Sequence, residues 1–241
     1  MGPRLPLEIQ PQPDDVTCGP TCLHAVYRYY GDDVDLATVI AEAPQLEGGG
    51  TLGVYLALHA LRRGYRATVY TYNLQVFDPT WFARKGPDVR ERLRAQMAVK
   101  ADPKLHVASE AYIEFLDRGG RLRFEDLTRA LLRAALNRGV PILTGLSATF
   151  LYRCAREIDA DNAPDDLRGE PSGHFVVLHG YNRARRLVSV ADPLQSNPIS
   201  KTTLYEVDID RLVCSILLGN LTYDANLVLL QPLRRPRPVK E

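Results

Sequence analysis

Between residues 19 and 30 the apolar positions recur at helical spacing. Cys22, Val26 and Tyr29 share one face, Leu23 and Tyr30 flank it, and Gly31 offers a stop. The spacing predicts a helix over 19–30, with Pro20 in the first turn, where a missing N–H costs little. A second helix is expected over 35–42. The glycine run Gly48-Gly49-Gly50 then leads to Thr51, a candidate N-cap for a third helix over 52–63 that closes at Gly64. Residues 66–72 alternate with β-branched and aromatic side chains and read as a strand. Residues 77–120 contain the single tryptophan, Trp81, and helical stretches near 89–97 and 109–116, and are read as a helical insertion. Beyond it the pattern predicts a helix over 124–137 stopped by Gly139, and a strand over 140–145. A polar loop follows over 153–173, with six acids: Glu157, Asp159, Asp161, Asp165, Asp166 and Glu170. Strands over 174–180 and 186–191, joined by a turn at 182–185, form an antiparallel hairpin, and a last strand falls within 225–231. Helices come first and antiparallel strands later, which is an α+β order and not an alternating βαβ one.

Composition narrows the class. With 241 residues, 45% of them apolar and 24% charged, the chain can bury one large core. We expect one domain over 8–232, a flexible start over 1–7 and a basic flexible tail over 233–241, where Arg234, Arg235 and Arg237 cluster around Pro236. A net charge of +1 leaves no basic field for nucleic acid. There is no signal-peptide pattern and no apolar run near the ~18 residues of a membrane span, so the expectation is a cytoplasmic protein without a membrane partner. Four cysteines do not make a disulfide framework. Cys18 and Cys22 could be half of a metal site, yet no second Cys/His pair has matching spacing, so neither metal nor cofactor is expected. Gly49 and Gly50 read as a flexible loop and not a phosphate cradle. Cys154 and Cys214 read as inert thiols. His24, His59 and His106 read as structural, Trp81 as packing, and the acidic loop as solvated surface.

The chemistry concentrates in two places. In Gln12-Pro13-Asp14-Asp15-Val16-Thr17-Cys18-Gly19 a cysteine opens a helix, where unpaired N–H groups and the helix dipole favour negative charge. That is what a sulfur nucleophile requires near neutral pH. The Gln12 amide, a short turn upstream, can donate a hydrogen bond where an oxyanion would form. The hairpin supplies the second half. His174 opens one strand and Asp192 ends the next, ahead of Pro193, so the two are expected as cross-strand neighbours. A carboxylate there can hold the imidazole tautomer and stabilise the imidazolium. His179 has the opposite parity and should face away.

Gln-x5-Cys-Gly-x-x-Cys opening a helix, then Gly-His-Phe-Val-Val-Leu-x-Gly-Tyr, then Val-x-Val-Ala-Asp-Pro, resembles the bacteriocin-processing peptidases that cut after double-glycine leaders. These are a branch of the papain-like cysteine peptidases. The likeness covers residues 12–30, 46–72 and 140–193, and only the Gln/Cys and His/Asp segments are specific. It implies a papain-like α+β fold in which an N-terminal helix packs against an antiparallel sheet. It further implies Cys18 as nucleophile, His174 as general base and then acid, Asp192 as orienter, and Gln12 with the Cys18 N–H as the oxyanion hole. Members are often the first domain of an ABC exporter, and this chain has neither membrane spans nor an ATPase, so export-coupled leader cleavage is not implied.

The reading is a cysteine peptidase acting on a peptide or protein through a thioester, with or without a peptide-modifying enzyme as partner. Three rivals stand beside it, one of them a metal-binding role for Cys18 and Cys22. The same four residues could pass the acyl group to an amine or thiol, and the fold could serve as a catalytically silent peptide-binding module.

Overall fold

Phe175-Val176-Val177-Leu178 is apolar without a break because both faces of its strand are covered, a pattern that fits a sheet sandwiched between helices. The computed structural model describes residues 4–47, 49–158 and 162–233. The helices are α1 (Cys18–Tyr29), α2 (Leu36–Glu42), α3 (Gly53–Arg62), α4 (Val89–Val99), α5 (Pro103–Asp117), α6 (Arg129–Asn137), α7 (Ala148–Tyr152) and α8 (Ile209–Leu218). The strands are β1 (Tyr65–Thr71), β2 (Arg121–Arg123), β3 (Ile142–Ser147), β4 (Gly173–Asn182), β5 (Leu187–Ala191), β6 (Leu204–Asp208) and β7 (Asn226–Pro232). They form one seven-stranded sheet in the order β2-β1-β7-β3-β4-β5-β6. Neighbours are antiparallel except β1 and β2, which run parallel.

Alternation along the strands sorts side chains into two cores. Phe175, Val177, Leu143 and Val228 face one core, shared with Leu23, Val26 and Tyr27 of α1, Leu56 of α3, and Leu93, Leu105 and Phe115 of α4 and α5. Val176, Leu178, Ile142 and Leu227 face the other, with Leu132 of α6, Leu151 of α7 and Leu212 of α8. Leu23, Val26 and Tyr27 are at most 1% exposed. Burying each such side chain stabilises by roughly 1.5–3 kcal/mol relative to exposure, which fixes α1 against β4 and β3.

Several sequence expectations shift. The start is not loose from residue 4. Arg4 bridges to Gly180, the Leu5 N–H donates to the His179 carbonyl at 2.7 Å, and Leu5 and Leu7 are buried. Leu5 and Leu7 are apolar, and β4 runs past its pairing with β3 at Leu178, which leaves His179 and Gly180 open to this segment. Thr51 does not cap α3; Leu52 holds that position, and the Thr51 hydroxyl donates to the Pro44 carbonyl at 2.7 Å. The helix expected from 124 begins at Arg129, because Thr128 caps it by accepting from the Leu131 N–H. Helix α7, strands β2 and β6, and helix α8 were not anticipated. The 153–173 loop is tied by bridges from Glu157 to Pro164 and Glu170, while Asp159 and Asp161 lie outside the described residues. The basic tail expected over 233–241 lies, apart from exposed Leu233, outside them as well. Among the described residues, no helix is long and apolar enough to cross a membrane.

Candidate active site

Cys18 is the first residue of α1 and is 9% exposed. Thr17 precedes it without a side-chain cap, and the first turn carries no acidic residue. The first N–H groups of a helix have no intrahelical partner, so this uncapped terminus presents them to whatever negative charge forms at the sulfur. Gly19 allows close approach to β4 and α3. A Cβ there would lie 2.6 Å from the Thr51 methyl and 3.3 Å from the Phe175 ring. One turn on, the buried Cys22 thiol donates to the Phe175 carbonyl at 3.2 Å. Burial pushes the Cys22 thiol up, and the charges of Cys18 and Asp192 push it further, so it stays a protonated packing group.

Asp192 is not directly opposite His174, as a simple hairpin would have it. The β4/β5 register pairs Val177 with Ala191 and Leu178 with Val190, and slips at a bulge before Gly180. Asp192 therefore stands diagonal to His174, a separation long polar side chains can close. The ring Nε2–H donates to Asp192 Oδ1 at 2.8 Å. That leaves the ring Nδ1 outside the Asp192 pairing, and Cys18 lies near enough to pull the ring toward its charged form. Burial by itself would lower the His174 pKa. Asp192, then Cys18, outweighs it and raises the value from 6.5 to about 10, so the ring is an imidazolium at neutral pH. Burial raises the pKa of Asp192, 0% exposed, yet the opposing pull of His174, Tyr152 and Tyr205 holds it below the usual carboxylate range. His179 is engaged elsewhere, donating through Nδ1 to the Leu5 carbonyl at 3.0 Å.

Gln12 is pinned to the same corner. Its backbone N–H donates to the Pro193 carbonyl at 2.9 Å, joining the segment before Cys18 to the segment after Asp192. Its side-chain Nε2 donates to the Asp14 carbonyl at 2.7 Å, while Oε1 is buried without a partner. An amide nitrogen has two hydrogens, so one remains for a ligand. A cavity of about 680 Å³ opens beside it, lined by Gln12, Asp14, Asp15, Pro193, Gln195 and Lys201 among others.

The backbone just before His174 is crowded. A Cβ on Gly173 would stand 2.0 Å from Asp224 Oδ2 and 2.8 Å from Thr222 Oγ1. Burial raises the Asp224 pKa to about 7, against the opposing pull of Thr222, Lys104 and His174. Gly173→Ala is expected to cost about 1–3 kcal/mol of stability in chemical denaturation through this overpacking. Adding Asp224→Ala should restore most of the loss. A single variant as stable as the wild type would refute the steric account.

Residues 111–209 match the family model described as the Peptidase_C39 like family. The chain resembles the C39-like peptidases. The matched stretch carries His174 and Asp192, while Gln12 and Cys18 lie before it. Among solved structures, a candidate C39-like peptidase from Bacillus anthracis superposes with a TM-score of 0.50 at 14% identity, covering 96% of this chain and 97% of that one. The fold is the papain-like cysteine peptidase fold, α+β in class. Two others are the double glycine motif protease from an AMS/PCAT transporter in complex with the leader peptide, and the peptidase domain of Streptococcus ComA. The first shows 13% identity, coverage of 95% and 94%, and a TM-score of 0.46; the second 15%, 94% and 98%, and 0.44. No curated protein matches the sequence.

Two residues of the candidate site were missed from the sequence. Tyr152, at the end of α7, and Tyr205, on β6, both donate to Asp192 Oδ2 at 2.7 Å. The alternation of Leu204-Tyr205-Glu206-Val207-Asp208 signals a half-buried strand, but nothing along the chain links either phenol to Asp192.

Proposed function

We propose that this chain is a cysteine peptidase that hydrolyses a peptide bond through a thioester at Cys18. The observation carrying the reading is the 2.8 Å pairing of His174 with a fully buried Asp192, on a ring that also feels Cys18 at an uncapped helix start. The sulfur attacks the substrate carbonyl. The oxygen that becomes negative is met by the Cys18 N–H and by the free hydrogen of the Gln12 amide. His174 gives its proton to the leaving amine as the C–N bond breaks. It then takes a proton from water, which attacks the thioester and releases the acid. The four cysteines are unpaired, which fits a reducing compartment such as the cytoplasm.

A mixture of unstructured peptides serves as substrate in the test. It is incubated with the protein, and products and acyl adducts are read by mass spectrometry. The expected result is cleavage with an adduct on Cys18, together with rapid iodoacetamide alkylation of Cys18 at pH 6. Gln12→Ala should slow hydrolysis on the order of 100-fold, by loss of one oxyanion donor, and leave alkylation at pH 6 unchanged. No cleavage and no alkylation of Cys18 below pH 8 would refute the reading.

A further inference from the structure

Asp192 is 0% exposed, yet its carboxylate has four donors, one for each of its lone-pair directions. Oδ1 accepts from the His174 ring at 2.8 Å and from the Leu194 N–H at 2.9 Å. Oδ2 accepts from the Tyr152 and Tyr205 hydroxyls, each at 2.7 Å. The two phenols come from different elements, α7 and β6, and both side chains are buried. The Tyr152 ring also lies against His174, with centroids 6.0 Å apart. Burial, then the Asp192 charge, pushes both phenols far up, so both remain protonated donors at neutral pH.

We infer that Tyr152 and Tyr205 are a clamp that keeps Asp192 a carboxylate and holds its Oδ1 toward His174, which makes them positioning residues of the site. The catalytic part of this inference rests on the reading of His174 and Asp192 given above. The physical reason is the cost of an ion without water. A buried carboxylate bonded only to His174 could rotate, or take up a proton on its free oxygen and so discharge the imidazolium's partner. With both Oδ2 lone pairs occupied by hydroxyls, a proton can enter only by displacing one of them. The charged and titratable groups facing Asp192 are His174 from β4, Tyr152 from α7, Tyr205 from β6 and the neutral Cys22 thiol from α1. His174 is the one cation among them.

The test uses Tyr152→Phe, Tyr205→Phe and the double variant of the full chain, each of which removes an oxygen and keeps the ring. Two quantities are followed against pH: the carboxyl ¹³C shift of Asp192 by NMR, and the rate of iodoacetamide alkylation at Cys18. Each single change should raise the Asp192 titration midpoint by roughly one pH unit or more, because a hydrogen bond to a charge is lost. The acid edge of the alkylation profile should move up with it. A merely structural role predicts a lower melting temperature with an unmoved midpoint, and that result would overturn the clamp. The single variants decide the matter if the double variant does not fold. Should wild-type Cys18 show no fast alkylation at pH 6, and His174→Ala change nothing, the peptidase reading fails instead. The NMR midpoint still judges the clamp in that event: a shift supports it, and a constant value overturns it.

Discussion

Cys18→Ala is expected to abolish hydrolysis of every peptide the wild type cuts, while the protein remains folded. The thioester needs the sulfur, and the neighbouring Cys22 cannot replace it. Cys22 is 0% exposed, donates to the Phe175 carbonyl, and is held protonated by burial. Losing one sulfur at the edge of the core, with α1 anchored by Leu23, Val26 and Tyr27, leaves the packing of the helix in place. Product analysis by mass spectrometry checks the activity, and a melting curve close to that of the wild type checks the fold. Cys18→Ser should be equally inactive, because an alkoxide does not form beside this ring at neutral pH. Persistent cleavage by the alanine variant would place the chemistry elsewhere.

Asp192→Asn should fold and yet lose on the order of 1,000-fold or more in hydrolysis. An asparagine carbonyl can still accept from the His174 ring and the Leu194 N–H, and its amide can donate to the two tyrosine oxygens. The shape therefore survives and the charge does not. With the carboxylate gone, burial at His174 is opposed by Cys18 alone, and its pKa should fall well below about 10. The sign of the pH dependence follows. In the wild type, the His174 contribution to stability is fully present below 6.5 and is lost as pH rises through about 10. The lowered Asp192 contributes stability above 3.8 that is lost as pH falls. In the variant the histidine contribution should shrink, and the pH at which it is lost should move down from about 10. Denaturation curves at several pH values, with ¹⁵N NMR of the His174 ring, measure both. A variant ring that still titrates near 10 would show that Asp192 is not what charges His174.

Local pattern was sufficient for the elements that carry Cys18 and His174 and for the strand that ends just before Asp192. Helical spacing marked α1 within one residue at either end, and turn chemistry with alternation marked the β4–β5 hairpin. These are short-range signals, and the positions of Cys18 at a helix start and His174 at a strand start follow from them. The pattern was weaker where the chain is short or mixed. The five-residue α7 is too brief for periodicity to register, and Thr128 hides the true start of α6 behind apolar residues that look helical.

By itself, then, the sequence determined an α+β chain with a cysteine opening a helix, a histidine opening a strand and an aspartate closing the next. That both faces of β4 are covered, with Phe175 and Val177 in one core and Val176 and Leu178 in the other, came only with the structure. Only the tertiary structure decided that β7 enters the sheet between β1 and β3, and that Asp192 meets His174 diagonally across a bulged register. It alone brought Tyr152 and Tyr205 to the oxygen His174 leaves free. Those contacts join residues 40 and 13 positions from Asp192, and α7 reaches it only because β3, β4 and β5 are adjacent in the sheet. Local preferences fix which dihedrals a segment adopts. Which buried charge finds which donor is settled by the packing of the whole chain, since an ion removed from water must recruit its partners from whatever the fold places beside it.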